Sequence, residues 1–188
     1  MKTQRLTFVL FISLVLFMSF KSFAQTRETP VPFDQITQKF TYTDVVSTNL
    51  SQYQAYNNAR NWFTGMSLFR NFSNRGYDSF SGRGVVHALF AIGQIIDLEF
   101  NIVMEFKDNR YKFTITNIVV TRFVDDSNYD ITLEKFFELY SRRRVSGERR
   151  LTHLGNRMFK KFHASFQELI ISMDEGVKGA RTRPQTDW

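Results

Sequence analysis

"IIDLEFNIVMEFKDNRYKFTITNI", residues 95–118, decides the fold. Leu98, Phe100, Ile102, Met104 and Phe106 alternate with Asp97, Glu99, Asn101, Val103 and Glu105. A period of two puts the first set on one side of a strand and the second on the other, giving one dry face and one wet face. Asp108-Asn109 supplies a two-residue turn. Folding back there opposes Phe106 with Tyr111, Met104 with Phe113, Ile102 with Ile115 and Glu105 with Lys112. Apolar meets apolar and carboxylate meets ammonium in that register, whereas a slip of one residue would turn every side chain over. The match fails at Asn117, which would oppose Phe100, and the expected repair is a β-bulge.

Upstream, residues 36–46 are rich in aromatic and β-branched side chains and read as a strand. Ser47, Asn49 and Ser51 offer caps for a helix in which Ala55, Tyr56, Ala59, Trp62, Phe63 and Met66 recur at steps of three and four, ending near Gly65. Residues 68–72 and 77–80 read as short strands about an Asn74-Arg75-Gly76 turn. Gly82-Arg83-Gly84 punctuates the chain before a buried strand, VVHALFAI, which Gly93 ends.

Downstream, Asp125-Asp126-Ser127-Asn128 reads as a loop. Residues 131–140 form a short helix with Leu133, Phe136, Phe137 and Tyr140 on one side. Leu151, Leu154, Met158, Phe159, Phe162, Phe166, Leu169, Ile170 and Met173 outline a long amphipathic helix to Asp174, which Gly176 and Gly179 stop. The fold class is α+β: a single curved antiparallel sheet in the order β-α-β-β-β-β-α, with helices packed on one face. Residues 33–123 form the core, 124–175 a helical extension packed on it, and 176–188 a flexible tail after a polar lead at 25–32.

The first 24 residues carry two basic side chains, Lys2 and Arg5, then an apolar run from Leu6 to Phe20, then Ser22-Phe23-Ala24. That order is a secretory signal peptide with cleavage expected after Ala24. The run has 15 residues, short of the roughly 20 that a helix needs to span a bilayer. The expected location is therefore the periplasm or the exterior. With no cysteine, thiol nucleophiles, cysteine-bound metals and lipoprotein acylation are excluded. Residues 25–140 carry 11 basic and 13 acidic side chains, and 141–188 carry 11 and 5, so the basic character sits at the C-terminal end.

The element order, together with "YQAYNNARNWF" in the first helix, "SGRG" before the second strand block and "FKDNRYKFTITNI" across the hairpin, resembles a known family. It is similar to a domain of unknown function with a TATA-binding-protein-like fold, found in exported proteins of Gram-negative bacteria. The resemblance covers residues 33–123 and implies that fold. It brings no catalytic residues and no expectation of DNA binding, and the chain from Ile131 onward departs from it.

Few side chains suggest chemistry. His87 lies in an apolar strand and reads as a hydrogen-bonded core or edge histidine. His153 and His163 are ten apart on one helix, not the three or four that aim two ligands at one ion, so neither a metal site nor a cofactor is expected. Asp97 and Glu99 share the wet face of a strand and are the acid and base that a hydrolase reading would use. Alternation alone yields the same pattern. Most of the 30 aromatic residues, 21 of them Phe, fall on expected buried faces. Phe69, Phe72, Tyr77 and Phe80 lie in the less regular segment and are the pocket candidates, with cover for a sheet edge as the alternative reading.

Arg142, Arg143, Arg144, Arg149 and Arg150 are the anion-binding candidates. Their first reading is a solvated junction between two helices, where positive charge complements the last carbonyls of the preceding helix. The alternative is a patch facing anionic membrane surfaces, since export disfavours nucleic acid as the partner. Lacking a convergent nucleophile, metal set or cofactor loop, the chain reads as a non-enzymatic envelope module. Its expected partner is a protein, peptide or amphiphile bound through the sheet or the basic end.

Overall fold

The computed structural model describes residues 29–89, 95–124, 127–143 and 149–179; the leader and the end of the tail, and with them the signal-peptide expectation, lie outside these. The strand expected over 36–46 is broken. Phe33–Asp34 (β1) pairs with Lys39–Phe40 (β2), and Tyr42–Ser47 (β3) joins the main sheet. Asp34 causes the break: its carboxylate accepts from the Ile36 N–H at 2.8 Å and the Thr37 hydroxyl at 2.7 Å, closing a turn that leaves Ile36 exposed. Helix α1 (Gln52–Gly65) starts at Ser51 with a reciprocal capping box. The Ser51 hydroxyl accepts from the Gln54 backbone N–H, and the Gln54 side-chain oxygen Oε1 accepts from the Ser51 N–H.

The remaining elements are β4 (Phe69–Arg75), β5 (Ser79–Leu89), β6 (Ile95–Lys107), β7 (Arg110–Val124), β8 (Ser127–Thr132), α2 (Leu133–Leu139), β9 (Ser141–Arg143), β10 (Arg149–Leu151) and α3 (His153–Val177). β3 to β8 form one antiparallel sheet of six strands in the order β3-β7-β6-β5-β4, with β8 also on β7. β6 and β7 pair in the register expected from the sequence, from Phe106 opposite Tyr111 to Ile102 opposite Ile115. The register shifts between Glu99 and Asn101 across from Asn117, whose φ is +53°, so the bulge falls where the polarity mismatch required one.

Three expectations are corrected. Ser127 and Asn128 are not loop but the start of β8. β3 leaves β7 at Ile115, and β8 takes over the same edge from Val119 to Val124. Gly82-Arg83-Gly84 does not separate two strands but lies inside β5. A Cβ at Gly82 would run into the Phe63 ring, and one at Gly84 into Phe100 and Phe69, so these glycines make room for aromatic rings against the sheet. Gly176 does not stop α3, which runs on to Val177. Its bare backbone lets Trp62 of α1 approach. The helix ends instead at Gly179, with φ at +75°.

Helices α1, α2 and α3 all pack on the dry face. Phe166 lies 5.0 Å from Tyr42 and 5.4 Å from Phe100 between ring centroids, and Phe136 and Phe137 contact Phe159 of α3. α1 and α3 are joined by Trp62 Nε1 donating to Ser172 Oγ at 3.1 Å and by the Asn58 amide donating to the Val177 carbonyl at 3.0 Å. Tyr42 and Tyr111 are buried at the sheet–helix boundary. Tyr111 donates to Asp174 at 3.0 Å, and Tyr42 shares a hydrogen bond of 3.1 Å with His163 Nδ1. Burial, then the hydrogen bond and charge of Asp174, raise the Tyr111 hydroxyl above its ordinary value of ~10; burial raises Tyr42 likewise.

Two outcomes follow from this packing. Gly176→Ala gains roughly 1 kcal/mol of helix propensity, yet its Cβ would sit 2.7 Å from Trp62 Cβ. Urea denaturation should show a net loss of about 1–2 kcal/mol. Because the folded state holds the Tyr42 and Tyr111 protons more tightly than the unfolded chain, stability is complete below pH ~10 and falls as pH rises above it. Denaturation midpoints measured between neutral and strongly alkaline pH should fall less steeply for Tyr111→Phe than for the parent protein.

Candidate functional site

The other face of the sheet carries none of the three helices. Its side chains stand in rows across the strands. Ser79, Glu105, Lys112 and Val45 form one row, and Ser81, Val103, Thr114 and Thr43 the next. Arg83, Asn101 and Thr116 follow, then Val85, Glu99, Val119 and Thr132, and last His87, Asp97, Thr121 and Asp130. The middle of the face is a carpet of small, β-branched and uncharged groups around Val103, which is 40% exposed, interrupted on the β5 side by the exposed Arg83.

Charge collects at the two ends, with opposite sign. Near the β6–β7 turn, Lys107, Arg110 and Lys112 surround Glu105. With Val45 and Tyr111 they line an open depression of about 340 Å³. Lys112 bridges to Glu105 at 3.2 Å, and Arg75, opposite Ser79, adds a fourth cation on the same face. At the far end stand Asp97, Glu99 and Asp130. His87 Nδ1 lies 2.7 Å from Asp97 Oδ1, and the Thr121 hydroxyl donates to Asp130 at 3.0 Å.

His87 is therefore hydrogen-bonded at the surface, as its strand position suggested, on the wet side of β5. The Ser165 hydroxyl of α3 donates to its backbone carbonyl at 3.1 Å. Asp97 and Glu99 share the wet face as expected. They stand on an open sheet rather than in a cleft, and one oxygen of Asp97 is committed to His87. Among the described residues, no group of three or more His, Asp or Glu side chains is placed to hold a metal ion.

Phe69, Phe72 and Phe80 pack against the core rings beneath α1, and Tyr77 against the start of that helix, so of the two sequence readings covering describes them better than lining a pocket. Phe80 is buried on the dry face between Phe63, Phe72, Tyr56 and Phe106. Phe69 stacks on Phe63 at 4.0 Å and meets Trp62 at 5.0 Å, so both close the core beneath α1. Tyr77 lies in the β4–β5 turn, half exposed, edge-on to Tyr53 and Tyr56. The irregular β4 backbone, with Asn71 at a φ of +56° and a register shift between Arg70 and Ser73, hid this inward parity from a reading by alternation.

The arginine segment is not a plain junction between helices. β9 and β10 form a two-stranded antiparallel ribbon that sets Arg142 opposite Arg150 and Arg143 opposite Arg149. Arg144 lies outside the described residues. The expected interaction with the preceding helix is present, because the Arg149 guanidinium donates to the Glu138 carbonyl near the end of α2 at 3.3 Å. Arg150 also borders an open depression of about 560 Å³ with Thr29, Pro30, Leu151, Thr152, His153 and Asn156. Sequence reasoning missed Lys107, Arg110 and Asp130 as part of a surface. Strand parity held the signal for the first two, but Asp130 joins the face only because β8 pairs with β7.

No family model matches the chain, and no curated protein matches it. Two solved structures are similar. A TBP-like protein from Parabacteroides distasonis superposes with a TM-score of 0.63 at 15% identity, over 81% of this chain and 99% of that one. A DUF4468 family protein from Bacteroides ovatus superposes with a TM-score of 0.56 at 15% identity, over 89% of this chain and 99% of that one. The one-faced antiparallel sheet described above is thus a TBP-like fold, the fold that the sequence resemblance implied.

Proposed function

We propose that this chain is an exported envelope protein acting as a non-enzymatic binding module, with the uncovered sheet face receiving a partner protein, peptide or amphiphile. One observation carries this reading: a six-stranded sheet with three helices on one face and a flat, largely uncharged carpet on the other. A surface of that kind offers area without enclosure, which suits docking better than turnover. The N-terminal leader supports export. Export disfavours nucleic acid as the occupant, and Asp97, Glu99 and Asp130 would oppose phosphates at the acidic end.

The test is mass spectrometry of the native protein taken from its own envelope fraction. A retained partner is expected, and Val103→Arg with Thr114→Arg should reduce its recovery by about tenfold or more while leaving the melting temperature unchanged. Equal recovery would remove the face from the reading. Turnover of envelope material, lost in Asp97→Asn or Glu99→Gln, would replace it with the hydrolase alternative.

The arginine ribbon favours a second reading, peripheral association with an anionic membrane surface. Like charges directly across a strand pair are unfavourable unless an anion lies against them. Arg142 and Arg143 are exposed on the ribbon. Vesicles containing anionic lipid should bind the protein less as salt rises. Changing Arg142 and Arg143 together to Ala should weaken binding by roughly tenfold or more. Binding that ignores salt and these substitutions would discard this reading.

A further inference from the structure

The uncovered face is self-complementary. One end carries Arg75, Lys107, Arg110 and Lys112 against a single Glu105. The other carries Asp97, Glu99 and Asp130. Between them lie Val103, Val85, Val119 and the Thr43, Thr114 and Thr116 side chains, with Arg83 on β5 and Arg70 opposite it on β4 as the charged exceptions. Lys107 and Asp97 are ten residues apart on β6, a separation of roughly 34 Å at about 3.4 Å per residue. Five strands abreast span roughly 19 Å at about 4.8 Å per spacing. The projected face is on the order of 600 Å², close to the accessible area of about 800 Å² that each partner contributes to a standard stable interface.

We propose that this face docks on a second copy of the same chain, face to face, about a two-fold axis that runs across the strands. The proposal rests on the reading of the face as a binding surface and names its occupant. That axis lies between the Ser81–Val103–Thr114–Thr43 row and the Arg83–Asn101–Thr116 row. It turns the basic end of one copy onto the acidic end of the other, twice, as an isologous contact requires. The uncharged carpet meets itself at the centre and excludes water there. An axis along the strands would instead set cation on cation and carboxylate on carboxylate, so charge selects the orientation as well as the partner. Arg83 on β5, opposite Arg70 on β4, stands beside this axis and sets cation near cation on that side, so the contact is centred on β6 and β7 and the exposed arginines are left to screening by solvent and salt.

The experiment uses the chain without its leader, followed by light scattering and sedimentation over a concentration series. The parent protein should form a dimer that weakens with salt. Lys107→Glu with Arg110→Glu makes both ends acidic, and Glu99→Lys with Asp130→Lys makes both ends basic. Each doubly reversed protein alone should show a Kd raised about tenfold or more. Mixed one to one, the two should form a heterodimer close to the parent affinity, because each end again meets an end of opposite net charge. That recovery also shows that both variants fold; if a melt shows that one does not, Lys107→Gln with Arg110→Gln and Glu99→Gln with Asp130→Asn should weaken the dimer in its place. A parent protein monomeric at about 0.5 mM, weaker than any working protein–protein Kd, overturns the proposal. So does a dimer insensitive to both reversals, or a mixture that gives no heterodimer. A monomeric parent that still retains an envelope partner on this face sinks self-association alone, and loss of both sinks the binding reading with it.

Discussion

Burial of Phe166 between Tyr42 and Phe100 is the contact on which the rest of the structure depends. Phe166 belongs to α3, Tyr42 to the edge strand β3 and Phe100 to the central strand β6, so one ring joins the last element of the chain to the first and middle parts of the sheet. All three side chains are buried. Each aromatic ring removed from water contributes area on the scale of 150–250 Å², and ring contacts of this kind run through the dry face from Phe80 and Phe106 to Phe136 and Phe162. With no cysteine to cross-link the chain, this burial carries the stability.

The same packing explains why only one face of the sheet is covered. α1 and α3 are drawn together by Trp62, whose indole fits against Gly176 and donates to Ser172. α2 is tied instead to the β1–β2 pair, the Glu134 carboxylate accepting from the Phe40 N–H at 2.8 Å. The apolar stripes of all three helices are consumed by one face. The opposite face is left with short β-branched and polar side chains and with charge sorted to its ends, and any binding role of the chain has to be sought there or on the arginine ribbon.

How the polar residues sort is a consequence of strand parity rather than of composition. Glu105 and Lys112 bridge because the hairpin register places them opposite each other. His87 and Asp97 meet because β5 and β6 pair over eleven residues without a break. No chemistry needs to be invoked for either pair, and both lie toward the ends of the face rather than at its middle. The TBP-like neighbours share the scaffold at 15% identity, a level at which packing pattern persists while surface chemistry is free to change.

Alternation from Leu98 to Phe106 and its mirror in β7 made the central hairpin, its register and its bulge legible in the sequence, because strand period and polarity mismatch are local properties. Helical spacing likewise gave α1 and α3, and the capping residue Ser51 was in view. Three things were decided by tertiary structure. Gly82, Gly84 and Gly176 read as punctuation but are points where Phe63, Phe100 and Trp62 approach the backbone, which depends on partners distant in sequence. Phe80 read as a pocket candidate but is core, because β5 runs unbroken from Ser79 to Leu89 and puts it on the same face as Val86 and Ala88. The polarised open face exists only once β8 and β3 share the outer edge of β7, which brings Asp130 into line with Asp97 while Lys107 and Arg110 stand at the other end. Local periodicity fixes which side of a strand a residue is on; only the pairing of strands far apart in sequence fixes what stands beside it.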